Sequence, residues 1–341
     1  MHHGRYHRQE IYYPIGRKGQ QKLGCSRVCI IGIGALGTVI ANNLARAGVG
    51  YLRLIDRDIV DYTNLQRQVL FTERDAGDML PKAEAARNHL SEINTEIEID
   101  AIVADVNPYN IEKYVSDVDL VVDGLDNLET RYLLNEACQK HGIRWIYGGA
   151  IGSSGMCMDI LPGEGPCLHC LLGQMPEDGE HETCDSVGVV NSITNIIASY
   201  ESAEAIKILI GSDSVCRQLI TVDLWDNYTE YIDVKTDPDC PVCGRNSRSR
   251  YKLLENRQES YTASLCGHDA YQVTPGDGRS FDYEKVLTDL KKKGEIKTNR
   301  YYATFKNSEA EFKLFPDGRA VISGASNGGK AREIYARYID T

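Results

Sequence analysis

The sequence has no hydrophobic run long enough to cross a bilayer. Its longest apolar stretch, Val28 to Ala41, is interrupted by Gly32, Gly34 and Gly37. That falls short of the roughly 20 residues a spanning helix needs. The start of the chain, Met1 to Arg8, is polar and basic, without the apolar segment of a secretory leader. Basic side chains are in deficit: 38 Lys and Arg face 49 Asp and Glu, a net charge of −11. This balance argues against a general nucleic-acid binder or a binder of anionic membranes. There is no long internal repeat and no low-complexity tract. With 42% hydrophobic and 26% charged residues, the chain has the composition of a globular protein. What remains is a soluble, cytoplasmic protein whose 341 residues suggest two or three domains.

The charge that is present is unevenly spread. Residues 1–245 carry 21 basic and 36 acidic side chains, a net of −15. Residues 246–341 carry 17 and 13, a net of +4. We therefore expect two domains, 1–245 and 246–341.

Cysteine is abundant, at eleven residues. An odd count without a secretory leader points to metal binding or thiol chemistry in a reducing compartment rather than a disulfide framework. Cys167-Leu168-His169-Cys170 and Cys240-Pro241-Val242-Cys243 each have the spacing of a zinc knuckle, 69 residues apart. Four thiolates suit a closed tetrahedral Zn²⁺ site; two redox pairs or disulfides are the alternatives. Cys184 lies in the polar stretch Glu180-His181-Glu182-Thr183-Cys184-Asp185-Ser186, before a long helix. An exposed thiol near a helix start can have a lowered pKa and act as a nucleophile. The other six, Cys25, Cys29, Cys138, Cys157, Cys216 and Cys266, read as small hydrophobes or incidental thiols.

The fold class follows from periodicity. Residues 27–33 form a β-branched apolar run that suits a buried parallel strand. Gly32-Ile33-Gly34-Ala35-Leu36-Gly37 follows, then a helix from Ala35 to Ala47 stopped by Gly48, then a strand over 51–56. Helices over 82–93 and 128–141 alternate with strands over 96–103, 118–123 and 145–151. This predicts a Rossmann-like, doubly wound, mostly parallel sheet. A strand at 155–161 and a hairpin at 219–225 and 229–234 predict that the sheet turns mixed in its second half. A long helix spans about 188–210. The tail reads as a small α+β unit with helices near 282–293 and 328–339. Between them lies a hairpin near 300–306 and 309–315, with a turn at Pro316-Asp317-Gly318.

The glycine turn has a mechanical reading. Gly32 permits the tight bend, Gly34 lets a phosphate approach the backbone, and Gly37 lets helix pack on strand. The helix start offers N–H groups and a positive partial charge. Asp56, 19 residues beyond Gly37, is placed to hold ribose hydroxyls. These features fit NAD and ATP alike. The segment from Asp56 to Gln68 is unusually polar for a dehydrogenase. Within it Arg67, together with Lys82, could clamp a triphosphate. The strand at 118–123 delivers Asp123-Gly124-Leu125-Asp126-Asn127 at its carboxyl end. There Asp126 could hold Mg²⁺ or cap the following helix.

Together these residues resemble the ubiquitin-activating-enzyme-like adenylyltransferases, in particular the ThiF/MoeB/HesA group. The resemblance covers residues 5–244. It rests on Arg5-Tyr6-His7-Arg8-Gln9, the glycine turn, Asn64-Leu65-Gln66-Arg67-Gln68, Pro81-Lys82, Asp123 to Asn127 and the two cysteine pairs. It implies a reaction in which the C-terminal Gly-Gly carboxylate of a ubiquitin-fold sulfur carrier attacks the α-phosphate of Mg-ATP. The products are an acyl-adenylate and pyrophosphate. It also implies roles for residues of this chain. Gly32, Gly34, Gly37, Asp56, Asn64, Arg67, Gln68, Lys82, Asp126 and Asn127 would contact the nucleotide, with Asp126 serving Mg²⁺. Cys167, Cys170, Cys240 and Cys243 would bind Zn²⁺. Arg8 would reach the neighbouring subunit's site, so a homodimer is implied. Cys184 aligns with a cysteine that links covalently to the carrier in some members. A cysteine desulfurase or another donor would supply sulfur.

The tail resembles an extension of ThiF-type proteins. It lacks the Cys-x-x-x-x-x-Arg loop of a rhodanese, so it is not expected to carry persulfide sulfur. Its positive charge suits an acidic carrier, and a stabilising role is the alternative. These features favour thiamin thiazole synthesis over molybdopterin synthesis or another thiolation pathway. Two readings from other classes share part of the pattern. A nicotinamide-dependent oxidoreductase explains the glycine turn and Asp56 but not Arg8, the Asn64–Gln68 stretch or the cysteine pairs. A non-catalytic adaptor for a ubiquitin-like protein would be expected to have lost its phosphate-handling residues, and they are present.

Overall fold

A computed structural model of the chain describes residues 4–175, 187–245, 251–256, 260–265, 270–275 and 281–340. Cys184, His181 and Cys266 lie outside the described residues. The chain divides into two compact units, Met1–Glu255 and Asn256–Thr341. The first unit therefore runs past the charge break at 245. A single helical turn at Lys252–Glu255 anchors that stretch. Leu254 is buried, and Glu136 accepts the N–H groups of Leu253 (2.8 Å) and Leu254 (3.1 Å).

The first unit is built on β1 (Arg27–Ile31), β2 (Tyr51–Asp56), β3 (Glu98–Val103), β4 (Leu120–Asp123), β5 (Arg144–Ile151), β6 (Ser154–Ile160), β7 (Leu219–Asp223) and β8 (Tyr228–Ile232). The strand order is β3-β2-β1-β4-β5-β6-β7-β8. β1 to β5 are mutually parallel, and β6, β7 and β8 join antiparallel. The sheet is Rossmann-like with mixed strand orientation, and the change falls at the β5–β6 hairpin. Strands β1 and β4 are apolar along almost their whole length because helices cover both faces of the sheet.

The helices that matter for the site are α1 (Gly16–Cys25), α2 (Ala35–Ala47), α3 (Lys82–Ile93), α4 (Leu128–His141) and α5 (Asn191–Ile210). α2, α3 and α5 contribute to one apolar core, with Ile40, Leu44, Leu90 and Ile197 fully buried. α4 contributes to the other, around Trp145 and Leu134. Chain order reverses between β1, which leads to β2 on one side, and β4 on the other. In open α/β sheets the ligand crevice forms at that point, beyond the carboxyl ends of the strands.

α5 is an unusual interior helix because it carries acids inward. Glu201 is fully buried, and neither carboxyl oxygen has a hydrogen-bond partner among the described residues. Its carboxyl group fills the place a Cβ would take at Gly148 on β5, which is why that position has no side chain. Asp159 on β6 is also buried. Burial, reinforced by the neighbouring Glu204, pushes its pKa up to about 9. Burial likewise raises Glu201 well above the carboxylate range, helped by Asp123. Asp159 is therefore neutral at pH 7.

The second unit is an antiparallel sheet in the order β11-β12-β13-β14-β10-β9. Its strands are β9 (Ser260–Leu265), β10 (Ala270–Pro275), β11 (Glu295–Thr298), β12 (Ala303–Lys306), β13 (Glu311–Leu314) and β14 (Ala320–Ser323), with α6 (Tyr283–Leu290) and α7 (Gly328–Tyr338). It has its own core, in which Phe305 stacks on Phe312 with centroids 4.8 Å apart. The expected hairpin is present as β12–β13. The turn at Pro316–Gly318 does not end the sheet but leads into β14. The other four strands escape a reading by periodicity because, at four to six residues each, they are too short to show sustained alternation.

The buried acids generate a pH dependence. An acid whose folded pKa is raised holds its proton more tightly in the folded state. The stability linked to Asp159 is therefore complete below the unfolded value of 3.8 and declines as pH rises towards about 9. Asp159→Asn should flatten this decline and raise Tm at pH 8 by roughly 2–4 °C, about 1 kcal/mol. Thermal melts at pH 5 and pH 8 test this; an unchanged slope in the variant would show that the proton is held elsewhere.

Candidate functional site: a crevice at the carboxyl ends of the parallel strands

The crevice begins at the turn after β1. Gly32 has φ +87°, and a Cβ there would overlap the backbone of Gly124 after β4. The two turns are thus in direct contact. Gly34 caps α2, whose first N–H groups have no partner within the helix. A Cβ placed on Gly34 would meet nothing closer than Gln68 Nε2 and the Gly124 carbonyl, both at 3.9 Å. The backbone is therefore open at the helix start. Gln68 lies over this opening, 4% exposed, and its Oε1 has no hydrogen-bond partner among the described residues. The donors here are the N–H groups at the helix start and the Gln68 Nε2, and together they make a cradle that fits a phosphate.

Asp56 ends β2 and ties this cradle to the next turn. Its Oδ2 accepts the Ile33 N–H at 2.6 Å and its Oδ1 the Asp58 N–H at 2.7 Å. Burial pushes its pKa up to about 6, against the opposing charge of Lys82. Each oxygen has a second lone pair for another donor. Beyond Asp56, Asp61 caps a short helical turn at Tyr62–Asn64, and the Asn64 Oδ1 returns the bond to the Asp61 N–H at 3.0 Å. Arg67 donates to the Thr63 carbonyl at 3.0 Å. The fold thus brings Gln68 to the glycine turn. The bonds of Asn64 and Arg67 stay within their own segment.

Lys82 starts α3 and is 7% exposed. Its Nζ lies 2.9 Å from Asp58 Oδ2. Burial works against its charge, but Asp58, Asp56 and Asp126 outweigh it and hold the pKa above the usual lysine value. Asp126 is thereby placed in the same electrostatic cluster. Asp126 itself is exposed, and it does not cap α4. That role falls to Asn127, whose Oδ1 accepts the Thr130 N–H at 2.9 Å. Behind them Asp123 is fully buried. It accepts from Leu125 N–H at 2.7 Å and Arg131 Nε at 2.8 Å, while Arg131 also donates to the Leu125 and Gly148 carbonyls at 2.6 and 2.7 Å. This clamp fixes the end of β4.

Sequence reasoning had passed over Arg57, Asp58, Asp105 and the Asp123–Arg131 clamp. The alternation of Asp56 and Asp58 around the strand end was the available signal: two carboxylates one residue apart at a crevice need cations nearby.

Two predicted groups lie away from the crevice. Arg8 is exposed on a single helical turn at His7–Glu10. Its neighbour Gln9 donates to the Ala47 carbonyl at 3.0 Å, at the far end of α2. Thirteen residues of helix place that end about 20 Å from the glycine turn. The four cysteines Cys167, Cys170, Cys240 and Cys243 converge, all sulfurs within 4.8 Å of one another. Cys167 lies 3.7 Å from Cys240 and Cys170 3.4 Å from Cys243. A tetrahedral metal with bonds of about 2.3 Å needs sulfur separations of about 3.8 Å, so the donor set fits Zn²⁺. Among the described residues it is the one such cluster.

A doubly wound sheet with a phosphate cradle at its switch point and a four-cysteine cluster defines a Rossmann-like nucleotide-binding class. Within that class the chain belongs to the ThiF family, whose model matches residues 6–242. It is 38% identical over 341 residues to the sulfur carrier protein ThiS adenylyltransferase of Bacillus subtilis (strain 168), covering 98% of this chain and 99% of that protein. It is 36% identical over 241 residues to the SAMP-activating enzyme E1 of Haloferax volcanii, covering 70% of this chain and 88% of that protein. Among solved structures it resembles E. coli MccB determined with succinimide, with a TM-score of 0.63 and 25% identity over 72% of this chain and 75% of that one. No helix among the described residues is long and apolar enough to cross a membrane.

The capping geometry separates two neighbouring residues by measurement. Asn127→Ala removes a helix cap and should lower stability by about 1 kcal/mol. Asp126→Ala should leave Tm within about 1 °C of the parent, since exposed substitutions away from such features cost little. Equal losses in both variants would contradict the assignment.

Proposed function

We infer that the protein is an ATP-dependent adenylyltransferase that activates the C-terminal Gly-Gly carboxylate of a ubiquitin-fold sulfur carrier, in the thiamin thiazole pathway. The observation that carries this reading is the match to a ThiS adenylyltransferase from end to end, tail included. The SAMP-activating enzyme E1 and the MOCS3 adenylyltransferase and sulfurtransferase match 70% and 74% of the chain. Residues 1–255 are the ATP-binding core, which runs past the boundary expected at 245, and 256–341 are an accessory domain.

The chemistry needs little beyond positioning and charge neutralisation. The carrier's carboxylate is ionised at pH 7 and is itself the nucleophile. Its oxygen bonds to the α-phosphorus, the bond from that phosphorus to the bridging oxygen breaks, and pyrophosphate leaves with the electron pair. The glycine turn and Gln68 hold the triphosphate. Asp56 orients the ribose, and Asn127 lies beside it. Asn64, Arg67 and Lys82 neutralise the phosphates, and Asp126 holds Mg²⁺. Bound Mg²⁺ supplies the remaining neutralisation of the departing pyrophosphate. Arg8 acts on the partner's site in a homodimer, in keeping with its place at the wrong end of α2 for its own. Cys184 takes the activated carrier in the later sulfur step, with a cysteine desulfurase as donor. The four cysteines hold one structural Zn²⁺ that joins the segment after β6 to the segment after β8.

Carrier-dependent ATP–pyrophosphate exchange tests the reading. Lys82→Ala and Asp126→Ala should each reduce exchange by at least about 100-fold, and Cys184→Ala should leave it intact. Absence of exchange with every Gly-Gly-ending small protein of the source organism would falsify the reading. Loss of exchange in Cys184→Ala would overturn the division of labour. Elemental analysis should find one zinc per chain, lost in Cys240→Ala.

A further inference from the structure

Lys82 is already paired in the crevice. Its Nζ lies 2.9 Å from Asp58 Oδ2, and its own backbone N–H donates to the Asp58 carbonyl at 2.9 Å. The Asp58 N–H in turn donates to Asp56 at 2.7 Å. The main chain of Asp58 is thus pinned from both sides. Its second oxygen, Oδ1, faces Arg57 Nε at 3.8 Å. Arg57 is anchored through Nη1 to Asp105 Oδ1 at 2.9 Å. The result is a chain of alternating charge, Lys82–Asp58–Arg57–Asp105, running beside Asp56 and Asp126.

The Lys82 ammonium has three donors, so a phosphate can share it with Asp58. Every step of Lys82 towards the phosphate still weakens its pairing with a half-buried carboxylate that lies close to other carboxylates, which is costly. Arg57 Nε, 3.8 Å from that same carboxylate, is already in ion-pair reach and only about 0.6 Å beyond hydrogen-bond range. Its planar fork can bond Asp105 through one edge and Asp58 through another.

We propose that Asp58 and Arg57 are positioning residues for Lys82: Asp58 holds the ammonium in place, and Arg57 takes over Asp58 when Lys82 turns to the phosphates of a nucleoside triphosphate. This rests on the adenylyltransferase reading above. Loss of Arg57 leaves Asp58 competing with phosphate for Lys82, and removing the Asp58 charge ends the competition.

The test is calorimetric binding of Mg-ATP to the full chain and to Arg57→Gln, Asp58→Asn and the double variant, with a thermal melt of each. Arg57→Gln should weaken Kd about tenfold. Adding Asp58→Asn should restore it to within about threefold of the parent, a rescue that a purely structural role of Arg57 does not produce. Should Arg57→Gln not fold, Arg57→Lys replaces it: lysine keeps the charge beside Asp105 but cannot bridge both carboxylates, so the same weakening and rescue are expected. A double variant as weak as the Arg57 variant overturns the inference and leaves the adenylyltransferase reading standing. Failure of the parent protein to bind Mg-ATP overturns that reading, and this inference with it.

Discussion

Three glycines meet where no side chain can be accommodated. A Cβ at Gly32 or Gly124 would overlap the other's backbone, and a Cβ at Gly37 would overlap the Gly32 carbonyl. This contact sets the spacing between the turns after β1 and β4 and the start of α2. Everything else in the crevice is measured from it. Asp56 can reach the Ile33 N–H because the turn after β1 is held low. Asp126 can share a cluster with Lys82 because the turn after β4 is pressed against that same turn. The Asp123–Arg131 clamp then carries the constraint outward to Gly148, where Glu201 of α5 begins.

Charge is handled in opposite ways on the two sides of this contact. In the crevice the acids are matched by cations: Asp58 by Lys82, Asp105 by Arg57 and Asp123 by Arg131. Beneath β5 and β6, the carboxyl oxygens of Glu201 and Asp159 have no hydrogen-bond partner among the described residues, and burial raises the pKa of both. Burial is common to both places, so the difference lies in the partners. A buried carboxyl beside a guanidinium accepts charge-assisted bonds; one beside a glycine and another carboxyl takes up a proton.

Much of the fold could be read from the residues. β1 and β4 are buried on both faces and so are apolar throughout, and α2 is stopped by Gly48 in a left-handed conformation. Periodicity is strong in such elements. The convergence of the two cysteine pairs was also legible, because four thiols at knuckle spacing have few other arrangements. Three things were not. The strands β9, β10, β11 and β14 are too short to show sustained alternation. The cap of α4 belongs to Asn127 rather than Asp126, and adjacent residues with similar capping propensity differ only in backbone placement. The pairing of Lys82 with Asp58 joins residues 24 positions apart and depends on α3 starting beside the end of β2, which is tertiary information.

The Lys82–Asp58 pair has a consequence for selectivity. A ligand entering the crevice is compared with a carboxylate already in place, so attraction to an ammonium is not enough. It must offer more negative charge than Asp58 does, at a distance at least as short. On the adenylyltransferase reading proposed above, a monophosphate would bring its charge to the glycine turn alone and a triphosphate would bring charge to Lys82 as well. The resting pair would then act as a threshold that counts phosphates, set by a contact made before any ligand arrives.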